Sequence, residues 1–224
     1  NGPAFDGLGN LWYTNILIQN GLKVLKANNT WQSITDWPNN IENITSERYS
    51  KMVIDKNNTK WIPSSTGNGL IVFNENYTNK FLRIKTGTDG NLPITDVRSL
   101  AIDARNQLWI GTTRGLRVLP NVDSFKTETD IQTKPIIITE VIDGSSLAQE
   151  LFYEQFITDI LVDGSNRKWV SISDSGVYLI SANGQETIYH FTKENSPLPS
   201  NNINDLEIDS VTGEVYFATD NGLV

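Results

Sequence analysis

Aspartate and tryptophan recur in this chain at a fixed spacing that could support chemistry. Asp6, Asp55, Asp103 and Asp163 each precede a tryptophan by six residues: Trp12, Trp61, Trp109 and Trp169. A fifth aspartate, Asp209, precedes Tyr216 with one residue more between them. Runs such as Asp55-Lys56-Asn57-Asn58 and Asp163-Gly164-Ser165-Asn166 have the oxygen-rich look of calcium loops. They lack the alternate-position ligands and the closing glutamate of an EF-hand. Turn capping by the carboxylate explains all five aspartates at once, so no metal is expected at them. A flat ring repeated at one point of a repeat suits packing between neighbouring sheets better than a ligand platform.

The other reactive groups are sparse. His190 is the single histidine and the chain has no cysteine, which removes disulfides, thiolate nucleophiles and Cys/His metal or catalytic pairs. On its own, His190 reads as a structural or solvent-facing group in a strand. Glu140, Asp143, Glu150 and Glu154 crowd one region, but no spacing fixes them as an acid/base pair, and a solvated loop is the stronger reading. No catalytic residue, cofactor or metal is therefore expected. Trp31 and Trp37 fall outside the repeat; Trp31 reads as outer-strand packing, and Trp37, beside Pro38, as an exposed contact.

The elements that position these residues are short strands. Ile94 to Leu119 sets the pattern: an alternating run to Asp103, a polar turn at Ala104 to Gln107, a second strand Leu108 to Thr112, then Gly115 opening a third. The same meander recurs five times, with 49, 48, 60 and 46 residues between successive aspartates. A period near 50 residues with three or four strands per unit predicts an all-β chain and a β-propeller. Trp31 to Thr35, Phe81 to Thr86 and Ile188 to Thr192 supply outer strands, and polar Asn/Pro/Gly segments return the chain to the next inner strand. Repeats fall around 5–35, 49–86, 94–142, 156–192 and 203–224, and no linker divides residues 1–224. The long interval carries an insertion at Pro135 to Gln155: a strand from Pro135 to Ile142, a hairpin signal at Asp143-Gly144, and a second strand or helical turn at Leu147 to Phe152. About four complete four-stranded antiparallel blades plus partial ones are expected, an arc of a seven- or eight-bladed ring. Its open strand edges would need cover from the remaining blades or a second chain. Asn1 in place of an initiator Met fits a processed product or a piece of a longer chain.

Composition agrees with a folded soluble segment. Of the 224 residues 38% are apolar and 20% charged, and no apolar run approaches the ~20 residues of a spanning helix. A net charge of −8 with scattered Lys and Arg argues against nucleic acid and anionic membrane surfaces as partners. Among 25 asparagines, the N-x-S/T triplets at Asn28, Asn43, Asn57 and Asn76 read as turn residues more than as glycan acceptors.

Two stretches resemble the two-component-regulator propeller repeat. One runs from Leu198-Pro199-Ser200-Asn201-Asn202-Ile203 through Asp209, Gly213 and Tyr216-Phe217-Ala218-Thr219 to Asp220-Asn221-Gly222-Leu223. The other runs from Asn91-Leu92-Pro93 to Leu116. The chain is also similar to propellers of PorZ type from the Por (type IX) secretion system of Bacteroidetes. That likeness is carried by Lys134 to Ile138, Phe156 to Ile160, Val162 to Asn166, and Gln185 to Thr192 running on to Asn202. Copies one and two depart from the motif, as at Pro63, where it has Gly. The PorZ likeness implies a non-enzymatic surface or periplasmic scaffold with secretion-system proteins or lipopolysaccharide as partners. The repeat family implies instead the periplasmic ligand-sensing segment of a hybrid two-component kinase that recognises glycans. A catalytic propeller, lyase or glycosidase, is the remaining alternative. Propellers bind at the channel mouth. That nominates Asn40 to Glu47, Gly90 to Thr95, Phe152 to Phe156 and Ser196 to Asn204, and within or near them Trp37, Asn40, Asn91, Tyr153, Asn201 and Asn202.

Overall fold

A computed structural model describes residues 2–16, 18, 20–35, 48–78, 80–142 and 145–224. It is all-β. The first sheet is β1 (Ala4–Phe5), β2 (Leu11–Thr14), β3 (Leu22–Leu25) and β4 (Trp31–Ser33), and the second β5 (Val53–Ile54), β6 (Lys60–Pro63), β7 (Leu70–Phe73) and β8 (Phe81–Ile84). A third contains β9 (Val97–Ile102), β10 (Leu108–Thr112) and β11 (Gly115–Leu119), followed by a separate hairpin of β12 (Ile137–Ile142) and β13 (Ser145–Glu150). The fourth has β14 (Ile157–Val162), β15 (Lys168–Ile172), β16 (Gly176–Ile180) and β17 (Thr187–Phe191), and the fifth β18 (Ile203–Ile208), β19 (Val215–Thr219) and β20 (Gly222–Leu223). Strands within each sheet run antiparallel in chain order.

The opening strands of successive sheets are neighbours: β1 meets β5, β5 meets β9, β9 meets β14, and β14 meets β18. Sheets fanned about a common inner edge make an arc of a β-propeller. Register confirms that the aromatic positions are equivalent, since Trp12, Trp61, Trp109, Trp169 and Tyr216 pair with Ala4, Val53, Ala101, Leu161 and Glu207, each two residues before its aspartate. Burial is not equivalent along the series. Trp61 and Trp109 are buried, Trp169 only in part, and Tyr216, 40% exposed, directs its hydroxyl to Glu214 Oε2.

The core is four inter-sheet layers. Trp12, Leu22 and Val24 pack on Ile62, Ile71 and Phe73; Trp61, Leu70 and Val72 pack on Leu100, Leu108 and Ile110, with Val122 in the same layer and Phe125 edge-on to the indole. Trp109, Leu116 and Val118 meet Ile157, Ile160, Val170 and Ile180, and Val177 meets Leu198, Ile203 and Leu206. Because both faces of a middle sheet are covered, every residue of β6, β7, β10 and β11 is buried, whereas the outer strands β4 and β17 are largely exposed. Glycine is required where the third strand turns under the fourth. A Cβ on Gly69 (φ +78°) would lie 2.2 Å from Ile84 O, and one on Gly176 (φ +80°) 2.1 Å from Phe191 O.

The third sheet closes differently from its neighbours. Lys134 alone bridges Val118, with both backbone hydrogen bonds at 2.8 Å, and the chain then leaves as the β12–β13 ribbon. The expected insertion is thus a two-stranded antiparallel ribbon in which Ile142 pairs with Ser145, Asp143 and Gly144 lying outside the described residues, and a turn at 151–154 follows it.

Candidate functional site

Each recurrent aspartate folds its own turn. In four of the five turns Oδ1 accepts the backbone N–H groups two and four residues on: Leu8 and Asn10 for Asp6, Asn57 and Thr59 for Asp55, Arg105 and Gln107 for Asp103, Ser165 and Arg167 for Asp163. Asp209 accepts instead from Val211 and Thr212, as its longer turn requires. The spacing of six has a second purpose that sequence reading missed. Oδ2 accepts the indole N–H, at 2.8 Å for Asp6–Trp12, 3.0 Å for Asp55–Trp61 and 3.2 Å for Asp103–Trp109. In the fourth sheet Arg167 Nε takes Asp163 Oδ2 at 2.7 Å, and the buried Trp169 Nε1 has no partner. Burial pushes the Asp6 and Asp103 carboxyls up. Hydrogen bonds from Asn10 and Trp12, and from Lys168, Gln107 and Trp109, outweigh it and hold both below the usual carboxylate range.

Two lysines join adjacent sheets. Each directly precedes the tryptophan of its own sheet and lays its ammonium on the tryptophan of the sheet before: Lys60 Nζ lies 3.9 Å from the Trp12 ring centre, Lys168 Nζ 4.4 Å from that of Trp109. Both side chains are fully buried. Lys60 pairs with Glu75 at 2.5 Å; Lys168 donates to Asp103 Oδ2, Asn166 O and Ala182 O at 2.7–2.9 Å. Desolvation lowers both ammonium pKa values, against the pull of Glu75 and Asp103. The Lys-Trp dipeptides at 60–61 and 168–169 were the sequence signal for these joints.

The channel side holds a polar cleft of about 300 Å³ where the inner strands of the second to fifth sheets begin. Asp159 is one of its lining residues. Its Oδ1 accepts from Ser99 Oγ at 2.7 Å and Oδ2 from Leu206 N at 2.9 Å, so one carboxylate ties β14 to both β9 and β18. Burial, with repulsion from Asp205 added, pushes its pKa up to about 6 against the hydrogen bonds from Ser99, Leu206 and Ile160. Across the cleft Lys51 Nζ meets Glu207 at 3.2 Å. Partial desolvation opposes the charge on Lys51, but Asp205, Glu207 and Asp159 raise its pKa. Arg98 forks onto Asp96 (Nε–Oδ1 2.7 Å, Nη2–Oδ2 2.8 Å) and lies 5.3 Å from the Phe156 ring centre. The cleft offers Ser, Thr, Asn and carboxylate groups beside one aromatic face, a surface fitted to bind polar groups.

The nominated residues occupy different places. Trp37 and Asn40, with the segment up to Glu47, lie outside the described residues. Phe156 and Asn204, from two nominated connectors, line the cleft. Asn201 and Asn202 fasten the connector, with Oδ1 atoms accepting from Lys193 N and Asp174 N at 2.8 Å. Asn91, at φ +59°, donates to Thr133 O and passes its carbonyl to Arg117 Nε. Tyr153 is 61% exposed in the turn facing Gly115. Of the crowded acids, Glu150 pairs with Arg117 and Glu154 with Arg114, each apart from the other. His190 stacks on Tyr178 at 3.8 Å, its Nε2 2.7 Å from Ser175 O. Among the described residues no group of three or more His, Cys, Asp or Glu is placed to hold a metal, and no helix is long and apolar enough to cross a membrane.

Residues 91–114 match the family model of the two component regulator propeller. No curated protein matches the chain. PorZ, described as an essential bacterial surface component of the type-IX secretion system of Porphyromonas gingivalis, is similar over 100% of this chain, at 26% identity and a TM-score of 0.84. The chain spans 31% of that protein. The extracellular domain of a putative hybrid two component system from B. thetaiotaomicron matches 99% of the chain at 22% identity and TM-score 0.70, and the chain spans 26% of it. Virginiamycin B lyase from Staphylococcus aureus, at 11% identity and TM-score 0.64, matches 98% of the chain, which covers 63% of the lyase. The latter two share the fold alone. The chain is thus an arc of a β-propeller that carries the two component regulator propeller repeat and is similar along its whole length to PorZ.

Proposed function

We propose that residues 1–224 form one propeller segment acting, without catalysis, as a binding or scaffold module of a type IX (Por) protein secretion system at the cell surface or in the periplasm of a member of the Bacteroidetes. The observation that supports this reading is the likeness to PorZ over the entire chain. The cleft fits a binding role, since its two cations are already paired with neighbouring carboxylates, Lys51 with Glu207 and Arg98 with Asp96, and polar side chains line the rest. Its partners are then other secretion-system proteins or lipopolysaccharide and its glycans, with further blades or a second chain against the open strand edges.

A second reading, the ligand-sensing segment of a hybrid two-component receptor, is favoured by the repeat at 91–114 and the fold shared with the B. thetaiotaomicron extracellular domain. Deletion of the gene in its own bacterium separates the two. Loss of surface-attached cargo, with cargo accumulating in the periplasm, supports the secretion role. Normal cargo delivery, together with a changed transcriptional response to glycans, would overturn it.

A further inference from the structure

A second cavity lies away from the channel, on the outer rim of the second sheet. It measures about 470 Å³ and runs between β8 and the segment 129–131. Arg83, Lys85, Thr88, Asp89, Thr129 and Asp130 supply its polar lining. Gln132 Nε2 pins its wall by donating to Thr88 O at 2.7 Å and Asp130 Oδ1 at 2.5 Å.

Arg83 is the anomaly in this wall. Its Nε and Nη2 are buried and have no hydrogen-bond partner. The other orphaned side-chain atoms among the described residues, Thr14 Oγ1 and Trp169 Nε1, carry no charge. Nε and Nη2 are the two nitrogens of the side-on edge of a guanidinium, the edge that grips a carboxylate or phosphate with two parallel bonds. The same chain shows it in use, where Arg98 places those two atoms on the two oxygens of Asp96. A dry, unpaired cationic fork is costly to keep, so moving it onto a partner is favoured.

We propose that this cavity is an oxyanion site. Arg83 takes the carboxylate or phosphate of a small polyhydroxylated ligand, turning its guanidinium toward the cavity the side chain already lines. Lys85, just past the end of β8, also lines the cavity and adds a second positive charge. Asp89 and Asp130 would repel a bare anion, so they select a ligand whose hydroxyls donate to them while its acidic group faces Arg83. The inference is independent of the secretion or sensing role.

Calorimetric titration of the purified protein with D-glucuronate, glucose 6-phosphate and D-glucose tests it. At least one acidic sugar should bind, with glucose weaker by roughly tenfold or more, and added salt should weaken the binding. Binding of only one acid identifies which oxyanion is taken. Arg83→Met should cut affinity at least roughly tenfold while leaving the melting temperature unchanged or higher, because an unpaired buried charge has been removed. Should that variant fail to fold, the arginine Nε–Hε NMR signal missing from Arg83→Lys must move when the acidic sugar is added to the native protein. The proposal is overturned if neither acid binds at millimolar concentration, if glucose binds as well as the acids, if Arg83→Met binds like the native protein, or if that NMR signal stays still.

Discussion

Lys168 is shut off from water, yet three oxygens and the face of Trp109 surround its ammonium, so a buried charge is made tolerable by full pairing. Lys168→Met leaves Asp103 short of its counter-charge and should destabilise the fold by about 3–5 kcal/mol in denaturant titrations. The double variant Lys168→Met/Asp103→Asn should lose less than the sum of the single losses, and strict additivity would count against the pairing. Trp169 presents the opposite case. Arg167 draws away the carboxylate that the other indoles use, and the second sheet carries Thr59 at the same place. Arg167→Thr should return Asp163 Oδ2 to the indole N–H, with a thermal midpoint unchanged or raised by the equivalent of about 1 kcal/mol and a shift in tryptophan emission. The ion pair given up is worth little, since Arg167 is 41% exposed.

At the scale of the strand, the same residue type does different work according to which faces are covered. Trp61, on a strand enclosed between two sheets, should cost about 3–5 kcal/mol when changed to Ala. Trp31, 62% exposed on an outer strand and edge-on to Tyr13, should cost within about 0.5 kcal/mol. Urea unfolding of the two variants side by side checks the contrast. Most strands were legible because alternation, Gly openings and Asp turns are local signals. The closure of the third sheet was not, because Lys134 joins Val118 through a single bridge that leaves no strand-length pattern to read. Buried Lys60 and Lys168 escaped notice for a related reason. A lysine at a strand start reads as solvent-facing until the neighbouring sheet is known to place an indole and an acceptor against it.

At the inner edge Asp159 bridges three sheets, while the exposed Lys51–Glu207 pair adds little to stability. Asp159 links this closure to pH. Its folded pKa is about 6 against an unfolded value near 3.9, so between the two the folded chain holds the extra proton. Stability from this group therefore falls as pH rises through that window, by about 1.4 kcal/mol per unit of raised pKa. The melting-temperature difference between the native protein and Asp159→Asn should accordingly move in favour of the native protein on going from about pH 7 to about pH 5. A difference that is flat, or moves the other way, would count against a costly buried carboxylate there. By itself the sequence determined the fold class, the five repeats, the register position of the aromatic residues and the capped turns, because the signal within each copy lies in residues within a dozen positions of one another and only has to recur. Only the tertiary structure decided which indoles are sealed, that lysines tie sheet to sheet, that Asp159 gathers three inner strands, and that Arg83 is left without a partner. Those outcomes depend on side chains tens of residues apart meeting across the faces and inner edges of separate sheets, and on the loss of water where they meet.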